Sequence, residues 1–180
     1  MHRTTALLAV ALAACQSRPC IAPDSTNQPM TESSSQETSN ALLTAAAGSY
    51  IGPNLLWFMD PNKPLESEGT AQVEGNEVRY TWSYEGKPQT GVMTCSFSDE
   101  GVSATLTDSW HTGGKPMQFT GDHLADAIVV NGTYAAGEGP DWGWRIELRV
   151  PGPSKLLIEM YNIQPDGVEQ IAVRMRADRR

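Results

Sequence analysis

From residue 41 to the end, the sequence alternates apolar and polar residues, and this period limits the possible folds more than any other feature. In WGWRIELRV, residues 142–150, the apolar positions share one face: Trp142, Trp144, Ile146, Leu148 and Val150. Glycine, arginine and glutamate fill the positions between them. A period of two is typical of a β-strand with one face in an apolar core and the other in water.

Short turn signals such as EGKP, GGKP and PDG divide the alternating region at close intervals. We therefore predict about ten strands, near residues 50–58, 67–74, 77–84, 89–97, 102–110, 116–121, 127–134, 142–150, 155–163 and 168–177. The sequence predicts a single helix, a short one around residues 40–47, with Ser39 or Asn40 as its N-cap.

Ten short strands must shield their edges, and two architectures achieve this. An up-and-down order closes the strands into an antiparallel barrel, whereas two packed sheets form a sandwich. We predict the all-β, antiparallel up-and-down barrel, because consecutive strands joined by tight turns form a meander that curls on itself. A barrel of this size is filled by its own side chains or holds one small ligand.

Three segments of the strand-rich body carry a resemblance: YTWSYEGKPQTGVMTC, TLTDSWHTGGKPMQFTG, and GPDWGWRIELRV with the following IEMYNIQPDGVEQIAVRMR. The body, residues 41–180, resembles bacterial calycin-like (lipocalin-like) barrels of uncharacterised function. This resemblance implies the calycin-like barrel but carries no activity. Gly48-Ser49-Tyr50 stands where lipocalins place Gly-x-Trp, so the chain departs from lipocalins proper at that point.

The first fifteen residues have the pattern of a secretory signal. Arg3 precedes an apolar run of about nine residues, Ala6 to Ala14, which is too short to span a bilayer as a helix. The run ends in Leu-Ala-Ala-Cys, which resembles the lipobox of bacterial lipoproteins. The resemblance implies a signal peptide at residues 1–14, lipidation of Cys15, and an anchor at the outer membrane facing the periplasm.

Residues 15–40 are rich in Ser, Thr, Gln and Pro and contain few large apolar side chains. Such a segment cannot bury enough surface to offset its ordering entropy, so we predict a disordered tether that precedes the barrel domain at residues 41–180. The alternative is a true start at Met30, which would give a cytoplasmic domain without a signal. If the chain is lipidated at Cys15, Cys20 could pair with Cys95 in an oxidising envelope, but a reduced core thiol is the simpler prediction for Cys95.

The net charge of −8 argues against nucleic acid as a partner, because phosphate binding needs a basic surface. The remaining candidates for function are aromatic side chains on the strands, which either pack the core or line a cavity. The residues that we take as candidate ligand-binding positions are Tyr80, Trp82, Trp110, His111, Tyr134, Trp142, Trp144 and Arg145. Arginines such as Arg145, Arg79 and Arg174 would supply polar contacts only if the polar strand face turned inward.

The hypothesis that the protein is an enzyme is based on the segment DSWHTGG, residues 108–114. If residues 102–110 form a strand, Asp108 and His111 point to opposite faces, so Asp108 could not orient the imidazole ring. His111 and His123 could meet at a barrel mouth, but a catalytic zinc site needs three protein ligands. We therefore predict no catalytic residue, metal ligand or cofactor. The sequence favours a protein that binds a small, partly apolar ligand, over a hydrolase or metal-dependent enzyme around His111 and over a solid structural barrel.

Overall fold

Ten antiparallel strands close into one barrel in the computed structural model, which describes residues 41–58 and 60–180. The strands are β1 (Gly48–Leu56), β2 (Leu65–Glu74), β3 (Glu77–Tyr84), β4 (Lys87–Ser98), β5 (Gly101–Asp108), β6 (Met117–His123), β7 (Ala127–Tyr134), β8 (Trp142–Gly152), β9 (Lys155–Ile163) and β10 (Glu169–Arg179). A short helix, α1, covers residues 41–46. The predicted signal peptide, lipidation site Cys15 and tether lie outside the described residues.

Each strand pairs with the next in the chain, and β10 pairs with β1 to complete the closure. At the closing seam, Leu56 of β1 lies opposite Val173 of β10 on one side and Leu65 of β2 on the other. Closure leaves no free sheet edge, which removes the hazard of edge-to-edge aggregation. The all-β up-and-down barrel predicted from the sequence is therefore confirmed, and the sandwich alternative is wrong.

The turn between β3 and β4 illustrates how local sequence sets the register. Glu85 and Gly86 form a two-residue connection, and both have positive φ, 49° and 75°. A hairpin turn with positive φ at both central residues matches the right-handed twist of its strands, and glycine adopts this conformation without steric cost. This turn therefore fixes the opposition of Tyr84 and Lys87.

The apolar faces of all the strands point into the barrel. On β8, Trp144, Ile146 and Leu148 belong to the core, whereas Arg145 alternates with them and contacts charged groups on the outer face. The buried Cys95 thiol is free, as predicted, and burial raises its pKa to about 12. Arg79 and Arg174 also pair with glutamates on the outer face. Because these three arginines face outward, they do not supply the polar contacts of an internal cavity.

The two ends of the barrel differ. At the end where β1 begins, Leu43 and Ala46 of α1 are buried in the core, and the Tyr50 hydroxyl donates to the Ala46 carbonyl oxygen at 2.6 Å. The opposite end, which we call the mouth, carries the connections that follow β1, β3, β5, β7 and β9. No helix among residues 41–58 and 60–180 is long and apolar enough to cross a membrane.

Candidate functional site

A cavity of about 180 Å³ lies at the mouth of the barrel. It is lined mainly by apolar and aromatic side chains: Leu56, Trp57, Phe58, Trp110, His111, Met117, Tyr134, Trp144, Asn162 and Ala172. Leu56 ends β1 and Met117 begins β6, so the cavity lies where the strands meet the mouth connections. A concave apolar site with a few polar groups is typical of small-ligand binding.

Aromatic rings pack against one another around the cavity. Trp110 is central, with ring centroids 4.5 Å from Tyr84, 5.5 Å from Phe58 and 5.6 Å from Trp82. The Phe58 ring meets Trp110 edge-on while about half of it, 52%, remains exposed to solvent. Such edge-to-face pairs fix ring orientation and stabilise the assembly beyond the area they bury. The cavity wall therefore has a defined shape, with one solvent-exposed ring at its rim.

Asp108, the last residue of β5, organises the turn that carries His111. Its Oδ1 accepts hydrogen bonds from the backbone amides of Trp110 at 2.7 Å and His111 at 2.6 Å. The same oxygen lies 3.1 Å from Nδ1 of the His111 ring. Its other oxygen, Oδ2, accepts from the Tyr80 hydroxyl at 2.5 Å. A single carboxylate thus holds both the backbone of the turn and the imidazole ring.

The surroundings of Asp108 favour its charged form. Burial alone would raise the pKa of this carboxyl, which is only 1% exposed, but hydrogen bonds from His111 and Tyr80 outweigh burial and lower it. Burial and the neighbouring Asp108 charge raise the pKa of Tyr80 well above its usual value, so Tyr80 remains a donor. A buried carboxylate is stable when several donors satisfy it.

The charged state of Asp108 determines which nitrogen of His111 carries the proton. A carboxylate accepts hydrogen bonds and donates none, so Nδ1 of His111 must be the donor. In the neutral ring, Nε2 is then an acceptor, and this atom is buried without a partner among the described residues. The neighbouring Trp144 ring, 5.0 Å away between centroids, also has a buried and unpartnered Nε1.

The expectation that Asp108 could not orient His111 is wrong. It assumed that the strand continued to residue 110, but β5 ends at Asp108, and the chain then turns back. The Thr112 hydroxyl donates to the Asp108 carbonyl and accepts from its amide, both at 2.9 Å, which stabilises this turn. The turn therefore brings the His111 side chain into contact with the carboxylate of Asp108, three residues earlier.

The proposed meeting of His111 and His123 does not occur. His123 ends β6 at the α1 end of the barrel, whereas His111 lies at the mouth. The seven residues of β6 separate the two ends by roughly 20 Å. Within the part of the chain that the structure describes, no group of three or more His, Cys, Asp or Glu side chains could hold a metal ion.

Ser109 is also turned away from the imidazole. Its hydroxyl donates to Gln89 Oε1 at 2.8 Å and accepts from the Thr90 amide at 3.0 Å, both on β4. A serine nucleophile needs its hydroxyl within hydrogen-bond reach of the base. The contacts of Ser109 therefore do not form a Ser-His-Asp arrangement with His111 and Asp108.

The structure brings together four of the eight candidate ligand-binding residues. Trp110, His111, Tyr134 and Trp144 line the cavity, where the Tyr134 hydroxyl donates to Asn162 Oδ1 at 2.7 Å. Trp110 and His111 lie in the turn after β5, whereas Tyr134 and Trp144 lie on the consecutive strands β7 and β8. The closed barrel brings that turn and the β7–β8 hairpin together.

The other four candidates lie elsewhere. Tyr80 and Trp82 are buried behind the cavity, where Tyr80 binds Asp108 and the Trp82 ring packs near His111 at 6.2 Å between centroids. Trp142 lines a second hollow beside the mouth. Arg145 is on the outer face, where it pairs with Glu147 and Glu169. The structure does not bring Arg145 to the cavity.

The second hollow, of about 630 Å³, adjoins the first at the mouth. The two share Trp57, Phe58 and Asn162, and the second also includes Asp60 and Gln170. Its walls are more polar and it is larger than the inner cavity. A molecule that fills the inner cavity could therefore extend into this outer hollow past the Phe58 ring.

Sequence reasoning missed Trp57, Phe58, Met117 and Asn162. Trp57 and Phe58 are adjacent aromatic residues at the end of the first strand, a signal that could have placed them at a barrel rim. The alternation of β9 and β6 places Asn162 on the face of Met160 and Met117 on the face of Phe119, but nothing in the sequence indicates that these positions reach a cavity. Only the closed barrel shows that Met117 and Asn162 line the cavity.

The fold and the site together define a closed ten-stranded antiparallel barrel with an aromatic cavity at one end, an architecture compatible with calycin-like barrels. No protein-family model matches the sequence, and no curated protein matches it.

Proposed function

We propose that this protein binds a small, mostly apolar molecule in the cavity at the barrel mouth. One observation carries the proposal: Asp108 holds His111 against an aromatic cavity while His111 Nε2 is buried without a partner. A buried polar atom that lacks a hydrogen bond costs about 1–3 kcal/mol. A ligand that bonds to this atom would recover that free energy, and the aromatic walls would shield its apolar part.

The size of the cavity limits the ligand. A cavity of about 150 Å³ lined by apolar side chains accommodates one benzene molecule. The inner cavity, at about 180 Å³, therefore fits a single ring with one or two small substituents. A long acyl chain would have to leave the inner cavity and occupy the outer hollow.

The direct test is thermal unfolding of the protein with toluene, a probe of the right size without polar groups. Ligand at ten times its Kd stabilises a protein by about 1.4 kcal/mol, which raises the Tm of a domain of this size by about 3–6 °C. Ala172→Leu would fill part of the cavity and should abolish the increase. Ala104→Val, in the core away from the cavity lining, serves as the control variant.

If neither toluene nor a ring of the same size with a hydroxyl group, 4-methylphenol, changes the Tm of a protein whose circular dichroism shows the folded barrel, ligand binding in this cavity is contradicted. That result would favour the alternative that the barrel is a solid structural unit. An equal increase in the Ala172→Leu variant would place toluene at some other site.

An enzymatic function is the second candidate, and the contact of 3.1 Å between Asp108 Oδ1 and His111 Nδ1 favours it. A carboxylate that orients an imidazole is the usual device for a general base. The distinguishing experiment compares His111→Ala with the unaltered protein. If the unaltered protein converts a bound compound and His111→Ala still binds the compound but no longer converts it, the protein is an enzyme. If His111→Ala only weakens binding and neither protein converts the compound, the protein is a binding protein.

For the location, we propose a cell-envelope lipoprotein that is anchored at the outer membrane through Cys15 and faces the periplasm. The lipobox-like Leu-Ala-Ala-Cys and the short apolar run support this proposal. Intact mass spectrometry of protein expressed in a bacterial host should find a chain that starts at Cys15 with added acyl mass. A soluble chain that starts at Met1 or Met30 would contradict the anchor and favour a cytoplasmic protein.

A further inference from the structure

We infer that the mouth cavity selects a neutral, single-ring ligand with a hydroxyl group, such as a phenol, that donates its proton to His111 Nε2. This inference rests on the proposed binding function and specifies the ligand class. It follows from the hydrogen-bonding capacity that remains at the cavity once the contacts among residues 41–58 and 60–180 are counted.

The acceptor is His111 Nε2. Tyr80 and two backbone amides already donate to Asp108, and the His111 Nδ1 proton completes the set. Because the proton is held on Nδ1, the neutral ring presents Nε2 as an acceptor with no partner among the described residues. A ligand that only accepts hydrogen bonds cannot satisfy this atom, whereas a hydroxyl group can.

The donors beside it are suited to the oxygen of the same hydroxyl group. The Trp144 indole Nε1 carries a proton, is buried, and has no partner among the described residues. Asn162, which lines the cavity, uses its Oδ1 to accept from Tyr134, and this leaves its amide nitrogen as a further donor. A hydroxyl group both donates and accepts, so it can engage His111 and one of these donors together.

The rest of the cavity favours a neutral and apolar ring. Among the described residues, no Asp, Glu, Lys or Arg side chain lines the inner cavity, so a charged ligand would lose its hydration without gaining an opposite charge. The walls are instead provided by Trp57, Phe58, Trp110 and Met117. Their ring faces and thioether suit an aromatic ring.

The experiment compares three probes by isothermal titration calorimetry: 4-methylphenol, 4-methylanisole and toluene. All three contain a methyl-substituted ring, but 4-methylphenol alone donates a hydrogen bond. We expect 4-methylphenol to bind at least tenfold more tightly than either of the others. Equal affinity of the three probes would overturn this inference and leave the proposed function intact, whereas no binding of any probe would overturn both.

A pair of variants assigns the preference to His111. His111→Phe keeps a ring at the cavity but removes the acceptor, so the ratio of the 4-methylphenol affinity to the toluene affinity should fall from at least tenfold to about one. His123→Phe, at the opposite end of the barrel, should keep the preference. If the preference survives in His111→Phe, another group accepts the hydroxyl proton and the inference fails.

The protonated nitrogen can be observed directly. Two-bond ¹H–¹⁵N spectra distinguish the two neutral imidazole forms, and the His111 signals are identified by their absence in His111→Phe. We expect the proton on Nδ1 in the free protein and no change of that form when 4-methylphenol binds. A proton on Nε2 of the neutral ring would overturn the inference. Because this spectrum is recorded on the unaltered protein, the result does not depend on the stability of the binding variants.

Discussion

Asp108 connects the core of the barrel to the cavity at its mouth. It ends β5, accepts from Tyr80 inside the barrel, and holds the turn that carries Trp110 and His111. The two backbone amides fix the path of the chain, and the side-chain contact fixes the imidazole. A substitution at this single position should therefore affect both stability and ligand binding.

The lowered pKa of Asp108 predicts a specific pH dependence of stability. A carboxyl whose pKa is lower in the folded state than in the unfolded state stabilises the fold above its unfolded pKa, near 3.8, and this contribution is lost as the pH falls through the folded pKa. Asp108→Asn should remove this component. The free energy of unfolding, measured in urea between pH 2 and pH 7, should then fall less steeply below pH 4 in the variant.

The exposed Asp126 provides the control for this measurement. Asp126→Asn should retain the acid-dependent loss of stability seen in the unaltered protein. If Asp108→Asn and the unaltered protein lose stability in parallel below pH 4, then the Asp108 network does not stabilise the fold in the way described.

Between neighbouring strands, a row of three residues explains how Tyr80 reaches Asp108. Tyr80 on β3 lies opposite Gly91 on β4, and Gly91 lies opposite Asp108 on β5. The phenol ring crosses the inner surface of Gly91, where a Cβ atom would collide with the ring. The absence of a side chain at Gly91 thus allows a hydrogen bond between residues two strands apart.

Gly91→Ala should therefore destabilise the protein by about 2–4 kcal/mol, because it displaces Tyr80 and weakens the bond to a charged acceptor. Urea denaturation measures this change. Gly152→Ala is the matched control, since a Cβ there meets nothing within 4 Å. A Gly91→Ala variant as stable as the Gly152→Ala variant would contradict the close approach of the Tyr80 ring.

The outer faces of β8, β9 and β10 carry a second charged network. Glu147 and Glu159 lie directly opposite each other and are nearly buried, an arrangement that is unfavourable for like charges. Arg145 and Arg149 bind Glu147, and Arg174 binds Glu159 through Nε at 2.5 Å. The three arginines compensate the negative charges of the two carboxylates, which lie next to each other on β8 and β9.

Arg174→Met should expose the repulsion between the two glutamates and lower the free energy of unfolding by about 1–2 kcal/mol, since Arg174 is partly exposed. Adding Glu159→Gln should restore part of this loss. Lys155→Met breaks an exposed pair with Asp178 and should change stability by less than about 0.5 kcal/mol. Equal effects of the two single variants, measured by thermal unfolding, would contradict a special role for the Arg174 pair.

The strands of the barrel could be predicted from the sequence more completely than the residues that form the mouth cavity. The observed β3, β7 and β9 have the predicted bounds, because a two-residue period bounded by turn residues is a local signal. The end of β5 was misplaced by two residues, since Ser109 and Trp110 continue the alternation of the strand. The hydrogen bonds that end β5 are local ones, from Asp108 to Trp110, His111 and Thr112, and they leave no trace in the alternation of apolar and polar residues. The alternation therefore did not reveal the contact between Asp108 and His111.

At the scale of the whole molecule, the barrel is asymmetric along its axis. Helix α1 covers one end with Leu43 and Ala46, whereas the mouth carries the aromatic cavity and the exposed Phe58 ring. The chain enters the described barrel beside α1, so the cavity lies at the end remote from that entry. Under the proposed binding function, a ligand would enter and leave at the mouth, past Phe58 and the outer hollow.

The measurement that tests this account most directly is a ¹H–¹⁵N spectrum of the labelled protein during a titration with 4-methylphenol. The five tryptophans each give one indole N–H signal. Trp57, Trp110 and Trp144 line the inner cavity, Trp142 lines the outer hollow, and Trp82 packs behind the cavity. We predict that the Trp144 signal shifts most, that those of Trp57 and Trp110 also shift, and that His111→Phe weakens the Trp144 response. If the Trp144 signal stays unchanged at saturating 4-methylphenol, the mouth cavity is not the ligand site.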